Sequence, residues 1–393
     1  MKPVPYCVVA LALAFPAVLV GLELPTWFSL GSSSLALQSD LRVFYTPGYM
    51  LRTGQRKEIY DFAAIRRNQD QIVAADGGAV PFLHPAYEVI VFAPLSFLPY
   101  RRAYLVWGLT NLALLALVWV MLRPCIPVLS SLGPGWIVPG TLLGFMPLAF
   151  TIFAGQDSLL LLLVLVSAYR RIESSELQAG ILFGLGMFRF QVLLPIAVLL
   201  LLWRGSKFVA GCIFGTSVIV AISFAITGIG AQKQYFGLVR QMGDASFWLL
   251  LRRMPNLRGL FAACGLGTVP LVVASLCIFL LVAFVGTGRK PREKFLLAVS
   301  ASALLTYYLF LHDACVLALP LLVVINDAIS HRKWWQVAIA AAALSAFSSL
   351  WFLHDRFYLG ALPTALLLGT QVAGVWPQSK LGRASPQAKL EML

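Results

Sequence analysis

Charge is what this chain has least of. Only 12% of its 393 residues are charged, 60% are hydrophobic, and the mean hydropathy is +0.84. A soluble fold needs a surface in which roughly a quarter of the residues are charged. The composition therefore excludes a soluble protein of this size. It indicates a polytopic membrane protein, in which stretches of about 20 apolar residues each cross the bilayer.

Disulfide and metal signatures are also lacking. The six cysteines are scattered, with no CxxC pair and no histidine partner, so we expect them only to pack among their neighbours. Asp40 and Asp61 do not have metal-ligand spacing, and His84 and His312 have no carboxylate partner at a diagnostic interval. We therefore expect neither a metal nor another cofactor.

Charge of one sign is in surplus, with 30 Lys and Arg against 16 Asp and Glu and a formal net charge of +14. Nucleic-acid binders show a similar surplus. Here the cations stand in short segments between apolar stretches, where basic residues set the orientation of membrane helices. The chain is therefore predicted to bind a membrane and no nucleic acid.

The apolar stretches predict an all-α fold of about twelve transmembrane helices, forming one membrane domain over 1–376 with a polar cytoplasmic tail over 377–393. The predicted spans are 4–22, 102–122, 136–153, 157–170, 177–188, 191–203, 208–228, 267–287, 294–311, 313–329, 334–353 and 356–376. The first stretch could also be a signal peptide, but it is long for one and lacks a clear cleavage site, so we expect a retained helix. No internal repeat is seen, which disfavours a transporter.

The segment 177–203 could be one long helix or two short helices that meet near "MFRFQV". Two helices, with a cytoplasmic N-terminus, place nearly every short basic segment in the cytoplasm, whereas one helix places "GRKPREK" and "SHRK" outside. We therefore predict two helices. The extracytoplasmic side then carries two large loops, 23–101 and 229–266.

With this topology, unusual polar residues at the helix ends gather on the extracytoplasmic face. They are Gln156, Asp157, Arg189, Gln191, His312 and Asp313. Ionisable groups at membrane depth are costly and usually face a cavity or a partner. Together they predict the floor of an active site, although each alone could end a helix in the headgroup region. Arg189 could also pair with Asp157, and Asp40 or Asp313 could cap a helix.

The first loop, 23–101, is too long to be a simple connector. Asp40 follows the first predicted span, and residues 57–75 predict an amphipathic helix on the membrane surface, with Ile59 on or near its apolar side. Four prolines then interrupt an apolar run around His84, which predicts short or re-entrant pieces.

The second loop, 229–266, carries three arginines around an apolar and aromatic patch. They are Arg252, Arg253 and Arg258. The forked guanidinium group binds phosphate through two hydrogen bonds at once. These residues could instead anchor the loop to lipid headgroups.

Six segments between residues 38 and 327 resemble glycosyltransferase family 87, integral membrane enzymes of the GT-C superfamily, and they occur in the family's order. The segments are "DLRVFYTPGYMLRTGQRKEIYD", "PFLHPAYEVIVFAPLSFLPYRRAYLVWGLTN", "GQDSLLLLLVLVSAYRR", "QAGILFGLGMFRFQVLLPIAVLLLLWR", "MPNLRGL" and "LFLHDACVLALPLLVVIN". The resemblance implies a GT-C-type fold, a sugar (commonly mannose) donated from polyprenyl phosphate, and an extracytoplasmic acceptor. It also implies that Asp40 is the catalytic base. Arg189 replaces the lysine expected before "FQ", and His84-Pro85-Ala86 replaces Tyr/Thr-Pro-Pro, which bears on how the donor is bound.

Sugar transfer to a hydroxyl needs a base for the acceptor proton, donors for the leaving phosphate and exclusion of water. Asp40 is the predicted base. The predicted contacts of the donor phosphate are Arg189, Arg252, Arg253, Arg258 and His312. The predicted contacts of the sugar or acceptor are Tyr45, Tyr49, His84, Gln156, Asp157, Gln191 and Asp313.

A single base with in-line attack predicts inversion at the anomeric carbon. Retention would need a second carboxylate, for which Asp61, Asp157 and Asp313 are available. There is no DxD signature of a nucleotide-sugar donor, and a polyprenyl phosphate can leave without a metal if cations hold it. The sequence thus predicts a metal-independent hexosyltransferase of the inner (cytoplasmic) membrane of the cell envelope, with a lipid or glycan acceptor. The alternatives are a secondary transporter or lipid or glycan flippase, and a non-catalytic scaffold.

Overall fold

The structure is a computed structural model that describes residues 18, 20–21, 24–74, 78–131, 135–241, 251–353 and 356–374. Within these ranges the chain is all α, with no strand, as predicted. The α-helices are α1 (Ser33–Gln38), α2 (Arg42–Arg52), α3 (Phe62–Ile72), α4 (Val89–Phe92), α5 (Tyr100–Leu122), α6 (Pro127–Ser130), α7 (Ile137–Leu142), α8 (Met146–Ala154), α9 (Ser158–Arg171), α10 (Glu176–Leu185), α11 (Phe190–Trp203), α12 (Ser206–Gln241), α13 (Leu257–Ala263), α14 (Thr268–Gly286), α15 (Pro291–Leu305), α16 (Ala318–Ser330), α17 (Trp334–Ser349) and α18 (Ala361–Ala373).

Five helical stretches of the described chain are long and apolar enough to cross a membrane, and the bent pair α10–α11 would be a sixth. The five are Tyr100–Cys125, Ser206–Arg240, Thr268–Gly286, Asp313–Ser330 and Trp334–Leu353. The chain is thus a polytopic membrane protein, but the count of twelve spans is not confirmed. Residues 1–17, most of the first predicted span, lie outside the described chain, as do 242–250 of the second loop and the tail from 375 onward.

Two of the predicted spans differ from the observed helices. The span 136–153 is divided into α7 and α8, because the chain turns at 143–145 and Pro147, which has no backbone N–H, stands in the first turn of α8. The predicted span 208–228 ends at a break within α12, where Gly228 has φ 78°. The break therefore falls at a residue whose backbone tolerates positive φ.

The segment 177–203 forms two helices, α10 and α11, joined by the 3-10 turn Met187–Arg189 with a bend of 57°. Arg204, just after α11, donates to Ile172 O at 3.2 Å and pairs with Glu176 at the start of α10. The chain thus returns to the end of the bundle from which α10 begins. Arg292 of the basic segment 288–294 reaches the same place, 3.2 Å from Glu173. Three basic segments therefore meet at one end, as the two-helix prediction requires.

Small residues let α10 pack closely on α12. A Cβ at Gly180 would lie 2.2 Å from Phe208 O, and one at Gly211 would lie 2.2 Å from Leu177 O. Glycines at 184 and 215 repeat the contact one turn further along. This GxxxG pairing lets the helix backbones touch, as in other membrane helix pairs. It fixes α10, and with it the turn that carries Arg189.

The described part of the loop 23–101 folds into a layer with its own apolar core. Phe44 stacks on Phe92 with ring centroids 4.5 Å apart, and Tyr60 packs on Tyr235 of α12 at 4.9 Å. The amphipathic helix predicted over 57–75 is shorter, because Asp61 caps α3 by accepting from Ala63 N at 2.8 Å. Ile59 therefore lies in a turn before the helix rather than on its apolar side. The proline-rich run forms 3-10 turns and the four-residue α4, as its prolines predict.

Candidate active site

A cavity of about 400 Å³ lies between the layer formed by the loop 23–101 and the helical bundle. The loop contributes Asp40, Val43, Val80, Pro81, Leu83 and His84. The rest of the chain contributes Phe150, Gln156, Arg189, Arg253, Phe310, Leu311, His312 and Phe357. Among these described residues, Asp40 is the only carboxylic acid. The cavity thus combines one acid, two arginines and two histidines with an apolar wall.

A left-handed glycine positions the floor of this cavity. Gly155 ends α8 with φ 68°, and a Cβ there would lie 3.0 Å from Leu41 Cβ. The turn then directs Gln156 toward the cavity, and Asp40 N donates to Ala154 O at 2.7 Å. Asp40 and Gln156 are therefore brought together by the same turn, although 116 positions separate them in the sequence.

Two residues of α5 hold this turn from behind. Trp107 Nε1 donates to Gly155 O at 3.1 Å and to Gln156 O at 3.2 Å, and Asn111 Nδ2 donates to Gln156 O at 3.3 Å. Sequence reasoning missed both residues. An asparagine within an apolar span is the signal that could have revealed them, because such a residue needs a partner.

Gln156 connects the acid to a cation. Its Nε2 donates to Asp40 Oδ2 at 2.9 Å, and its Oε1 accepts from Arg189 at 2.6 Å. The N-cap of α2 is Leu41 rather than Asp40, and no side-chain cap bond is made there. Asp40 is half-buried and faces the cavity, so the alternative of a helix cap is excluded for it.

Arg189 is held at the wall by two buried acids. Its Nε donates to Asp157 Oδ1 at 2.9 Å, and its Nη1 lies 3.3 Å from Asp313 Oδ1. Asp313 also accepts from Ser158 Oγ at 3.3 Å and from Phe310 N at 3.2 Å. The ion pair of Arg189 with Asp157, which the sequence left open, is therefore present. Neither acid lines the cavity, so their predicted contact with a sugar has no counterpart in this geometry.

His312 lies on the cavity wall beside these groups. Its ring stacks on Phe150 at a centroid distance of 6.3 Å, and its Nε2 is 3.6 Å from Asp313 Oδ2. Both ring nitrogens lack a hydrogen-bond partner within the described chain. Burial lowers the pKa of His312 below its ordinary value. The side chain is therefore a neutral imidazole at neutral pH, with two buried nitrogens that have no partner in the described chain.

The expectation that His84 has no carboxylate partner is wrong. His84 Nδ1 lies 2.8 Å from Oε2 of Glu88, four positions further on. Residues four positions apart lie on one face of a helix. The sequence did not predict this pairing because Pro85, directly after His84, disfavours a helical conformation at His84. Burial, with the nearby Arg189 cation, lowers the pKa of His84 to about 3. His84 lines the cavity, as predicted for a contact residue, and its ring packs on Phe82.

The three predicted arginines of the second loop have different surroundings. Arg253 lines the cavity. Arg258 lies 3.6 Å above the ring of Tyr307 and donates to the Tyr307 hydroxyl at 2.9 Å. Arg252 is exposed and does not reach the cavity. The geometry therefore selects Arg253 from the three as the candidate phosphate ligand.

The predicted stacking of Tyr45 on a sugar conflicts with the structure. Tyr45 is buried, and its hydroxyl donates to Leu98 O at 2.7 Å. Val43 lines the cavity, and a residue two positions later in a helix points about 200° away. Tyr49 lies beside Arg52, and Gln191 accepts the Thr306 hydroxyl through its backbone oxygen, both outside the cavity.

Residues 82–320 match a family model described as glycosyltransferase family 87. No curated protein and no solved structure matches the chain.

Proposed function

Since the chain belongs to glycosyltransferase family 87, we propose that its cavity transfers a hexose, with mannose as the first candidate, from a polyprenyl-phosphate donor to a hydroxyl of a lipid or glycan acceptor. The family is of the GT-C type, and the chain is an integral membrane glycosyltransferase. The donor, the sugar, the base and the side of the membrane are our proposals.

The position of Asp40 carries the proposal for the reaction. It is the only carboxylic acid among the described residues of the cavity wall, and the Gln156 amide orients its carboxylate. A carboxylate so placed can take the acceptor proton as the hydroxyl attacks the anomeric carbon. Retention would need a second carboxylate in the cavity. Asp157 and Asp313 are tied to Arg189, and Asp61 caps α3, so we propose a single displacement with inversion.

Arg253 supports the proposal for the donor. As the sugar leaves, charge develops on the phosphate oxygens, and a cation placed there stabilises the transition state. Arg253 and Arg189 both line the cavity, and the two unpaired nitrogens of His312 can bind a phosphate oxygen or a sugar hydroxyl. In this proposal the donor phosphate contacts side-chain cations rather than a metal ion.

The basic end of the bundle supports the proposed side of the membrane. Segments 170–176, 203–207 and 288–294 meet through the pairs of Arg204 with Glu176 and Arg292 with Glu173. The cavity lies at the opposite ends of the same helices, where α9 begins and α15 ends. Basic segments favour the cytoplasm. We therefore propose that the cavity opens on the extracytoplasmic side, in the cell membrane.

The donor class is tested with purified protein in liposomes that contain a lipid extract as acceptor. Radiolabelled polyprenyl-phosphate-mannose, polyprenyl-phosphate-glucose and a nucleotide-linked mannose are offered separately. We expect label to pass to a new product from a polyprenyl-phosphate sugar only, and the new linkage to have the anomeric configuration opposite to that of the donor. Transfer from the nucleotide sugar alone, or a product that retains configuration, would contradict the proposal.

A further inference from the structure

Three side chains with metal-ligand atoms converge next to Arg189, at the edge of the cavity that His84 lines. They are His84, Glu88 and Asp157, and one ligand atom of each lies within 4.8 Å of the other two. Glu88 is 2% exposed and Asp157 is completely buried. They come from distant parts of the chain, since Asp157 lies between α8 and α9 whereas the other two belong to the outer loop. The convergence is therefore a product of the fold.

The atoms that face one another lack hydrogen-bond donors. Both carboxylate oxygens of Glu88 and Asp157 Oδ2 have no hydrogen-bond partner within the described chain, and neither has His84 Nδ1. Nδ1 lies 2.8 Å from Glu88 Oε2, but the two atoms are not aligned for a hydrogen bond. Buried polar atoms are almost always satisfied, so a group of unsatisfied atoms that point at one another indicates a ligand between them.

The balance of buried charges also indicates a bound cation. Glu88, Asp157 and Asp313 are buried acids, and Arg189 is the cation in contact with the two aspartates. With all three acids ionised, they exceed the charge of Arg189 by two. One divalent cation would balance this excess. A neutral imidazole is the form of histidine that binds metals.

We propose that His84, Glu88 and Asp157 bind one divalent cation of the Mn²⁺ or Zn²⁺ type. A mixed nitrogen and oxygen ligand set suits these ions. With metal–ligand bonds of about 2.0–2.2 Å, ligands on opposite sides of an ion lie about 4.2 Å apart, which fits the observed cluster. Of the three ligands, only His84 lines the cavity, whereas Glu88 and Asp157 do not. The ion would hold Asp157, and through it Arg189, in place.

The test measures metal binding and not transfer, so its failure would leave the proposed function intact. Full-length protein in detergent is stripped with a chelator and titrated with Mn²⁺, and free Mn²⁺ is followed by electron paramagnetic resonance. We expect one Mn²⁺ per chain, displaced by Zn²⁺, with affinity at least tenfold lower in Glu88→Gln. The matched control is Glu58→Gln, because Glu58 is an exposed acid of the same loop. It should bind as wild type does.

Two results would overturn the inference. Wild-type protein that binds neither ion would show that Glu88 and Asp157 are satisfied by a shared proton instead. Unchanged affinity in a folded Glu88→Gln variant would place the bound ion elsewhere. If Glu88→Gln does not fold, His84→Asn replaces it, and Mn²⁺ should raise the melting temperature of wild type but not of that variant. An equal rise in both would also overturn the inference.

Discussion

The carboxylate of Asp40 accepts a hydrogen bond of 2.9 Å from the side-chain amide of Gln156. The same amide accepts from Arg189 at 2.6 Å, so it orients the proposed base and a cation of the wall together. A glutamine can bind both Asp40 and Arg189 because its planar amide carries a hydrogen-bond donor and an acceptor. The catalytic geometry therefore depends on a residue that need not take part in proton transfer.

Gln156→Glu tests this relationship. A glutamate still accepts from Arg189, but it places a second carboxylate beside Asp40 in place of a donor. Two adjacent carboxylates resist ionising together, so the acid limb of the pH–rate profile should move to higher pH, and kcat at neutral pH should fall about tenfold. The control is Gln191→Glu, the same change outside the cavity, which should leave the profile in place. Superimposable profiles for wild type and Gln156→Glu would contradict the orienting role.

Arg253→Gln tests the phosphate contact. Loss of a charge-assisted hydrogen bond costs about 1.5–3 kcal/mol, so the KM for the polyprenyl-phosphate donor should rise about 10- to 100-fold. Arg252→Gln is the matched control, because it removes the neighbouring arginine, which does not line the cavity. Its steady-state kinetics should match wild type. Equal losses in both variants would point to lipid anchoring of the loop instead.

Gly155→Ala tests the turn under the cavity. Alanine at φ 68° costs about 1–2 kcal/mol, and its Cβ would lie 3.0 Å from Leu41 Cβ. The melting temperature in detergent should fall, and transfer should fall with it because Gln156 follows in the chain. Gly108→Ala is the control: it lies in α5 with nothing within 4 Å of the new Cβ, so it should not destabilise the protein. A Gly155→Ala variant as stable as wild type would refute the constraint.

His312 predicts a pH dependence of stability. The folded chain keeps this imidazole neutral, whereas the unfolded chain protonates it below about pH 6.5. The contribution of neutral His312 to the free energy of unfolding is therefore fully present above that pH. It decreases as the pH falls, by no more than about 1.4 kcal/mol per pH unit. Between pH 7.5 and 5.5 the melting temperature of His312→Gln should fall less than that of wild type. Equal falls would contradict the assignment.

Sequence patterns predicted the long helices better than the short ones. A window such as 102–122 coincides with α5 because nothing within it interrupts the apolar run. The window 136–153 is just as apolar, but Pro147 and the turn before it divide the segment. A hydropathy average over the window does not detect a single proline or a short turn within it. The GxxxG spacings of α10 and α12 were visible in the sequence and would have predicted that these helices touch.

The sequence predicted which polar residues come together better than it predicted which side chains line the cavity. Polar residues at helix ends are costly in a membrane, and Gln156, Arg189 and His312 do come together. Which atoms face the cavity depends on helix phase and tertiary pairing, so the roles assigned to Tyr45 and Asp157 do not fit. Glu88 was missed because it stands alone in an apolar run, and only the fold brings Asp157 to it.

The most direct test of the account is the transfer rate of Asp40→Asn with the labelled polyprenyl-phosphate sugar that wild type uses. Asparagine can still accept from Gln156, so the fold should be retained while the base is lost. Asp61→Asn is the control, because asparagine caps a helix as well as aspartate does. We predict that Asp40→Asn is slower by about 10²–10⁴-fold and that Asp61→Asn is unchanged. A folded Asp40→Asn variant that transfers sugar at the wild-type rate would show that Asp40 is not the base.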